Sequence, residues 1–277
     1  MLPNRPTLHA RGLFRPALAL CLAVLPGVAL AQGTSISIPN YSFESQLASL
    51  DTDTNNDIDD WETAPQPADF NPGQSGFTWN ELTGVFGNTP VGYPDHIDNI
   101  DGNQAAYIFA DPEVALFQDY NSTDWQDLPP NHAFDAVFEP GHSYTLTIGI
   151  IGGGGDMAAG ASLDLSLYYR DGSGDMVNVA STSVVYSSTA FPTTTDLIDY
   201  QVTVPTVQAT DPWAGQNIGI EMLSTATASN EGGYWDLDNV RLTDIPAVPE
   251  PCSAGFLVIG FGGLILVRSR RRGAAAL

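Results

Sequence analysis

The stretch that decides the fold is HSYTLTIGI, His142 to Ile150. Its apolar and aromatic residues alternate with Ser, Thr and Gly, so that almost every second side chain is apolar. A period of two residues is typical of a β-strand that turns one face toward a core. A helix would instead need apolar residues at intervals of three and four. The stretch therefore predicts a half-buried strand.

Similar alternation recurs along the chain in segments of strand length. The further predicted strands are 104–110, 114–120, 163–169, 198–204 and 218–222. No segment shows a helical stripe of normal length. Strands at this spacing without helices predict an all-β protein, an antiparallel β-sandwich of the jelly-roll type. We expect this sandwich to form one domain over residues 32–245.

The last predicted strand, YWDLDNVRL from Tyr234 to Leu242, changes phase in its middle. Trp235 and Leu237 are apolar at odd positions, whereas Val240 and Leu242 are apolar at even ones. A shift of one residue requires a bulge or a bend, because Val240 would otherwise face water. Bulges often redirect side chains at functional sites, so Asp238 is a candidate for a functional role.

The charge of the chain is strongly negative, with a formal net charge of −23 over 277 residues. Between Gln32 and Pro249 there are 31 acidic residues and only two arginines. Phosphate backbones bind to Lys and Arg, so this composition excludes a nucleic-acid partner. It favours cations, and divalent cations most.

The N-terminus has the features of a secretory signal peptide over residues 1–31. Three arginines precede a short apolar run that ends at Ala29, Leu30 and Ala31. A basic segment, a short apolar segment and small residues at the cleavage site are typical of such peptides. We therefore expect an exported protein. The two cysteines fall outside the body, so no disulfide is expected in it.

The C-terminus, residues 246–277, combines a short motif, an apolar run and a basic cluster. The motif is Val248, Pro249, Glu250 and Pro251; the cluster is Arg268, Arg270, Arg271 and Arg272. The order resembles the PEP-CTERM sorting signal of Gram-negative bacteria. The resemblance implies a short transmembrane helix, a transient anchor in the inner membrane and processing by an exosortase. It further implies a final place at the cell envelope, the outer surface or an exopolysaccharide matrix or biofilm. A plain single-pass anchor is the alternative.

Four short pieces of the body resemble carbohydrate-binding-module-like, galactose-binding-like jelly rolls. They are IPNYSFE at 38–44, DGNQAAY at 101–107, PGHSYTL at 140–146 and the closing strand at 234–242. The resemblance implies a structural calcium ion shared by Glu44 and Asp238. Asn239 stands where the family usually has a second acidic residue.

A second calcium candidate is the acidic stretch DTDTNNDIDDWE, residues 51–62. Oxygen-bearing side chains fall at the spacing of an EF-hand loop. The candidate ligands are Asp51, Asp53, Asn55, Asp57, Asp59 and Glu62. Asn56 replaces the usual glycine, and no helix is predicted after the stretch. A calcium-binding loop and a merely solvated acidic loop both remain open, and Ca²⁺ is the predicted cofactor.

Motifs of known catalytic chemistry are missing from the sequence. There is no G-x-S-x-G, no H-E-x-x-H and no candidate catalytic cysteine. Aromatic residues in polar segments are candidates for stacking on sugar rings, namely Trp79, Tyr93, Trp125 and Trp213. We therefore expect a non-catalytic protein that binds polysaccharide in the extracellular matrix. A purely structural matrix protein is the first alternative, and a carbohydrate-active enzyme is the second.

Overall fold

The computed structural model describes residues 32–45, 47–48, 54–71, 76–123 and 134–247. These residues belong to one compact unit, Ala31–Val248. The described chain is all-β, apart from one turn of 3₁₀ helix at Trp79–Glu81. The prediction of an antiparallel β-sandwich is confirmed, since two antiparallel sheets contain the strands.

The larger sheet contains the strand predicted first. Its members are β1 (Thr34–Ile36), β2 (Thr54–Asn55), β4 (Thr83–Gly87), β5 (Gln104–Phe109), β7 (His142–Gly154), β10 (Ile198–Val204) and β12 (Tyr234–Pro246). They are ordered β10-β7-β12-β5-β4-β2, and β1 pairs with β12. β12 therefore lies in the middle of this seven-stranded sheet, where both of its edges are hydrogen-bonded.

The smaller sheet has five strands. They are β3 (Glu62–Thr63), β6 (Ala115–Gln118), β8 (Ser162–Arg170), β9 (Met176–Val185) and β11 (Gly219–Ser224). Their order is β3-β6-β11-β8-β9, and every pair is antiparallel.

The core lies between the two sheets and is built by the alternating apolar residues. Leu146, Ile148 and Ile150 of β7 are fully buried, as are Trp235 and Leu237 of β12. These side chains belong to one continuous apolar cluster. Because side chains alternate across a strand, the residues between them point away from this core. The opposite face of the seven-stranded sheet therefore does not take part in the core between the sheets.

The phase change in β12 is a bulge, as the alternation predicted. The pairing of β12 with β7 shifts between Asp238 and Arg241. Asn239 has a φ of 57°, a left-handed conformation that Asn tolerates better than most residues. The bulge returns Val240 to the buried face, where it is 1% exposed.

The glycine run after Ile151 reads from sequence as a flexible connection, and this interpretation is wrong. β7 continues through it and ends at Gly154. A Cβ atom at Gly152 would lie 2.7 Å from Cζ3 of Trp235, and one at Gly154 would overlap the ring of Tyr234. The glycines are therefore needed because large rings on the neighbouring strand lie against the backbone.

Among the residues that the structure describes, no helix is long and apolar enough to cross a membrane. The predicted signal peptide at 1–31 lies outside the described residues, as does the predicted sorting segment at 246–277 except for its first two residues. Export, processing by an exosortase and surface localisation accordingly remain predictions.

Candidate functional site

A buried acid lies on the outer face of the seven-stranded sheet. Asp236 alternates with Trp235 and Leu237, which face the core, and so points to the other side. It pairs with Tyr107 of β5 and Ile151 of β7. Because directly opposed residues share a face, these two side chains flank Asp236.

Asp236 is in an environment that disfavours its charge. The residue is 8% exposed, and its Oδ1 atom is buried without a hydrogen-bond partner in the part of the chain that the structure describes. Burial raises the pKa of Asp236 from 3.8 to about 8, since the charged carboxylate loses its hydration. The side chain is therefore mostly a neutral carboxylic acid at pH 7, and a neutral acid has a proton to donate.

Aromatic rings continue from Asp236 along the sheet. Tyr107 lies 5.9 Å, ring centroid to ring centroid, from Phe109, and Phe109 lies 5.9 Å from Tyr234. Phe77, from the segment before β4, adds a fourth ring at 5.0 Å from Phe109. We call these four residues the aromatic row. They present π faces and edges beside the buried acid.

Tyr107 has a fixed hydroxyl at one end of the aromatic row. Its OH group donates a hydrogen bond to Oδ1 of Asn56 at 2.8 Å. Burial, with a smaller contribution from the charge of Glu81, raises the pKa of Tyr107 to about 12. The phenol therefore stays neutral near pH 7 and keeps its ring in place.

A cavity of about 710 Å³ opens at the other end of the aromatic row. Phe77, Phe109 and Tyr234 line it, and Asp236 does not. Its volume lies in the range of pockets that hold small organic molecules. The row therefore connects a cavity of ligand size with the neighbourhood of the buried acid.

The segment between β4 and β5, residues 88–103, lies on the same outer face and is called the cover loop. Ile97 from the loop forms a small buried cluster with Ile151 and Leu197. The side chain of Asn99 exchanges two hydrogen bonds with the backbone of Leu197, at 2.9 and 2.8 Å. The loop thus helps to shield the sheet around Asp236 from water.

The structure brings together the two predicted calcium ligands of the family resemblance. Oε1 of Glu44 accepts hydrogen bonds from the N–H groups of Asn103 and Gln104, at 2.7 and 2.8 Å. Oδ2 of Asp238 accepts one from the N–H of Asp101 at 2.6 Å. Both carboxylates therefore hold the same turn at the end of the cover loop.

Asp238 has some of the properties expected of a cation ligand. Its side chain is fully buried, and Oδ1 has no hydrogen-bond partner among the described residues. Burial, with smaller contributions from the charges of Asp101 and Glu44, raises the pKa of Asp238 to about 7. Carboxylate oxygens are the ligands that calcium prefers. Within the described ranges, however, no group of three or more His, Cys, Asp or Glu is arranged to hold a metal. Calcium binding by Glu44 and Asp238 stays a prediction.

The described ligands of the second calcium candidate are spread along the connection between the sheets. Asn55 lies in β2 of the larger sheet, and Glu62 lies in β3 of the smaller one. Oε1 of Glu62 accepts a hydrogen bond from the N–H of Thr123 at 2.9 Å. Asp57 and Asp59 lie between them, whereas Asp51 and Asp53 are outside the described residues. A calcium ion on this loop also stays a prediction.

The four aromatic residues considered for sugar stacking do not form a common surface. Trp79 is 4% exposed, and its Nε1 donates to the carbonyl of Ala64 at 2.7 Å, so its ring belongs to the core. Trp213 is half-buried against the core. Tyr93 is 62% exposed on the cover loop. Trp125 lies outside the described residues.

Sequence reasoning missed Asp236 and the aromatic row. The available signal was the alternation of β12, which places Tyr234, Asp236 and Asp238 on the face away from Trp235. Asp236 stands in the middle of a strand whose other face is apolar, and this position distinguishes it from the acids of the loops. Nothing in the sequence, however, indicates that Tyr107 lies opposite Asp236 or that Phe109 lies opposite Tyr234.

The fold and the site together define a class of protein. A β-sandwich that holds a buried, neutral carboxylic acid beside aromatic rings and a cavity is equipped to bind and protonate a small organic molecule. The chain belongs to the HpiC1-like family, described as HpiC1 cyclase, whose family model matches residues 34–243.

Solved structures of cyclases share the fold. A cyclase from Fischerella sp. TAU is 23% identical, with a TM-score of 0.53 over 79% of this chain and 100% of that chain. The Stig cyclase FisC of the same organism, in complex with (3Z)-3-(1-methyl-2-pyrrolidinylidene)-3H-indole, is 24% identical, with a TM-score of 0.51 over 78% and 100%. A cyclase from Fischerella sp. TAU in complex with 4-(1H-indol-3-yl)butan-2-one is 23% identical, with a TM-score of 0.51 over 78% and 100%. No curated protein matches the chain.

The family corrects the functional expectation drawn from the sequence. The prediction of a non-catalytic protein that binds polysaccharide, or that only contributes to the matrix, is wrong, because the chain belongs to a family of cyclases. The expectation rested on the lack of known catalytic motifs, on a predicted sorting signal and on a fold-level resemblance to carbohydrate-binding modules. Neither carries information about chemistry, since one fold hosts many functions. The search for known catalytic motifs failed because an acid buried in a strand has no such motif.

Proposed function

We propose that this protein is an enzyme that cyclises an unsaturated organic substrate, with Asp236 as the proton donor. The observation that carries the proposal is the position of Asp236. Its carboxyl group is buried, its Oδ1 has no hydrogen-bond partner among the residues that the structure describes, and it lies opposite Tyr107 of the aromatic row. Membership of a cyclase family supports the assignment.

The proposed reaction is an isomerisation. The acidic proton of Asp236 moves to one carbon of an alkene, whose π electrons form the new C–H bond and leave a carbocation at the other carbon. A second π system within the substrate attacks this carbocation and closes the ring. Loss of a proton from the cyclised cation to the Asp236 carboxylate restores the acid. Substrate and product therefore have the same elemental composition.

The aromatic row supplies stabilisation for the cationic stage. Rings present a negative face to a cation, and such contacts stabilise it by roughly 0.5–2 kcal/mol each. The ring of Tyr107 lies directly opposite Asp236, where the carbocation would form, and the ring of Phe109 follows at 5.9 Å from that of Tyr107. The cover loop keeps water from capturing it, because Ile97 and Leu197 shield this face.

An indole bearing an alkene side chain is the substrate class that we propose. Two related cyclases were solved with indole compounds, and this ligand chemistry is carried over here as part of the proposal. The flat indole suits stacking on the aromatic row, and the alkene provides the carbon that accepts the proton.

The test is a reaction of the full chain with 3-prenylindole in D₂O, followed by mass spectrometry. We expect a cyclised isomer that carries one carbon-bound deuterium. General acid catalysis contributes about 10²- to 10⁴-fold, so Asp236→Asn should lower the rate at least 100-fold. Asp175→Asn, at an exposed turn, is the matched control and should react at the parent rate.

Two results would contradict the proposal separately. Full activity of Asp236→Asn would show that another group donates the proton. No conversion of 3-prenylindole by the parent protein would exclude this substrate class.

A further inference from the structure

The cavity at the end of the aromatic row has an unusual combination of walls. Phe77, Phe109 and Tyr234 form one side, and Phe70 adds a further ring. A cavity of about 710 Å³ is large enough for a molecule of drug-like size. Neighbouring rings contact one another at centroid distances of 5.0 and 5.9 Å and are tilted by 56° and 48°, so that both faces and edges of the rings line the cavity.

The same cavity is lined by acids. They are Asp69, Asp111, Glu113 and Glu231. Of the described residues that line the cavity, none is Lys, Arg or His. The carboxylates therefore face the cavity without a basic residue among them to offset their charge.

Asp111 and Glu231 are close enough to repel each other. Asp111 is 6% exposed, and burial raises its pKa; the charge of Glu231 raises it further. A positive charge placed in the cavity would relieve this repulsion. Relief of this kind favours binding of a cation over binding of a neutral molecule with the same shape.

We propose that the cavity binds an organic cation, a protonated amine or quaternary ammonium group attached to an apolar or aromatic body. Carboxylates and aromatic faces both attract such a group. A small hard metal ion prefers an all-oxygen shell at short distance, and among the described residues no group of three or more His, Cys, Asp or Glu is arranged to hold one. The proposal goes beyond the cyclisation, because it concerns binding in the cavity and not proton transfer by Asp236.

The test compares two ligands of one skeleton by titration calorimetry on the purified full chain at pH 7. The neutral probe is 4-(1H-indol-3-yl)butan-2-one. The cationic probe is 4-(1H-indol-3-yl)butan-2-amine, in which a protonated amine replaces the ketone. We expect the amine to bind about tenfold more tightly, a difference of about 1.4 kcal/mol.

The variant that removes the preference is Asp111→Asn combined with Glu231→Gln. It keeps the shape of both side chains and removes two negative charges, so the two probes should bind with Kd values within twofold of each other. Where the double variant does not fold, Glu231→Gln alone should reduce the preference at least twofold. The matched control is Asp135→Asn combined with Asp175→Asn, two exposed acids outside the cavity. It removes the same charge and should keep the tenfold preference.

Equal affinity of the parent for both probes would overturn the proposal. So would an equal loss of preference in the control, because that result would assign the effect to the overall negative charge. The outcome is independent of the cyclisation, since Asp236→Asn should keep the preference for the amine. If the protein binds the amine selectively but does not cyclise 3-prenylindole, the cation site is supported and the proposed reaction is contradicted.

Discussion

Replacement of Asp236 by Asn should make the protein more stable as the pH rises, relative to the parent. The folded-state pKa of Asp236 is about 8, whereas an Asp side chain in the unfolded chain has a pKa of about 3.9. Between these values the folded protein holds a proton that the unfolded chain has lost. The free energy of unfolding of the parent therefore falls as the pH rises from about 4 to about 8.

The magnitude follows from the shift. Each pH unit within this window lowers the parent's free energy of unfolding by about 1.36 kcal/mol. Asn does not ionise, so the variant lacks this dependence. From pH 5 to pH 7 the stability of Asp236→Asn relative to the parent should rise by about 2.7 kcal/mol. The unpaired amide of Asn adds a constant cost of roughly 1–3 kcal/mol, which does not depend on pH.

The assay is urea unfolding of both proteins at pH 5, 6 and 7, with EDTA present so that bound metal does not differ between samples. Asp238, whose pKa is raised to about 7, remains in both proteins, and neither acid contributes to the pKa shift of the other, so its contribution largely cancels in the difference. Asp175→Asn, at an exposed turn, should track the parent at every pH. A difference between Asp236→Asn and the parent that stays the same at pH 5 and pH 7 would refute the raised pKa and, with it, the neutral acid.

Three further outcomes are expected. Arg170→Met should lower the free energy of unfolding by about 3–5 kcal/mol in a urea titration, because the buried carboxylate of Asp119, 1% exposed, would lose the Arg170 Nε–H donor at 2.6 Å. Asp119 Oδ2 also accepts a hydrogen bond from the Tyr168 hydroxyl at 2.6 Å, and a loss below 1 kcal/mol would show that this bond alone satisfies the carboxylate. Asp238→Ala should narrow the gap in melting temperature between calcium and EDTA, since calcium at a hundred times its Kd stabilises by about 2.7 kcal/mol; an unchanged gap would exclude Asp238 as a ligand. Intact-mass analysis of secreted protein should show a species without residues 1–31 and without the arginine cluster at 268–272. A secreted species that retains this cluster would contradict the predicted sorting signal.

The sheet structure was readable from the chain because a half-buried strand imposes a period of two on its own residues. The strand at His142 to Ile150, the further predicted strands and the bulge after Asp238 all follow from that alternation. The predicted sorting motif in the C-terminal segment can likewise be identified from neighbouring residues alone. It concerns localisation, however, and predicts nothing about a reaction. The glycines at 152–154 were misread because the rings that require them, Trp235 and Tyr234, belong to a strand about 80 residues away in sequence.

The site depended on contacts that the sequence does not display. Asp236 is one acid among 31 in the body, and in the sequence it resembles any solvated carboxylate. Its burial, its partner Tyr107 and the aromatic row result from pairing β12 with β5, strands separated by more than a hundred residues. The cost of desolvating a carboxylate depends on what surrounds it in space. The alternation of the sequence therefore determined which residues share a face, and only the tertiary structure decided which face would hold an uncharged acid.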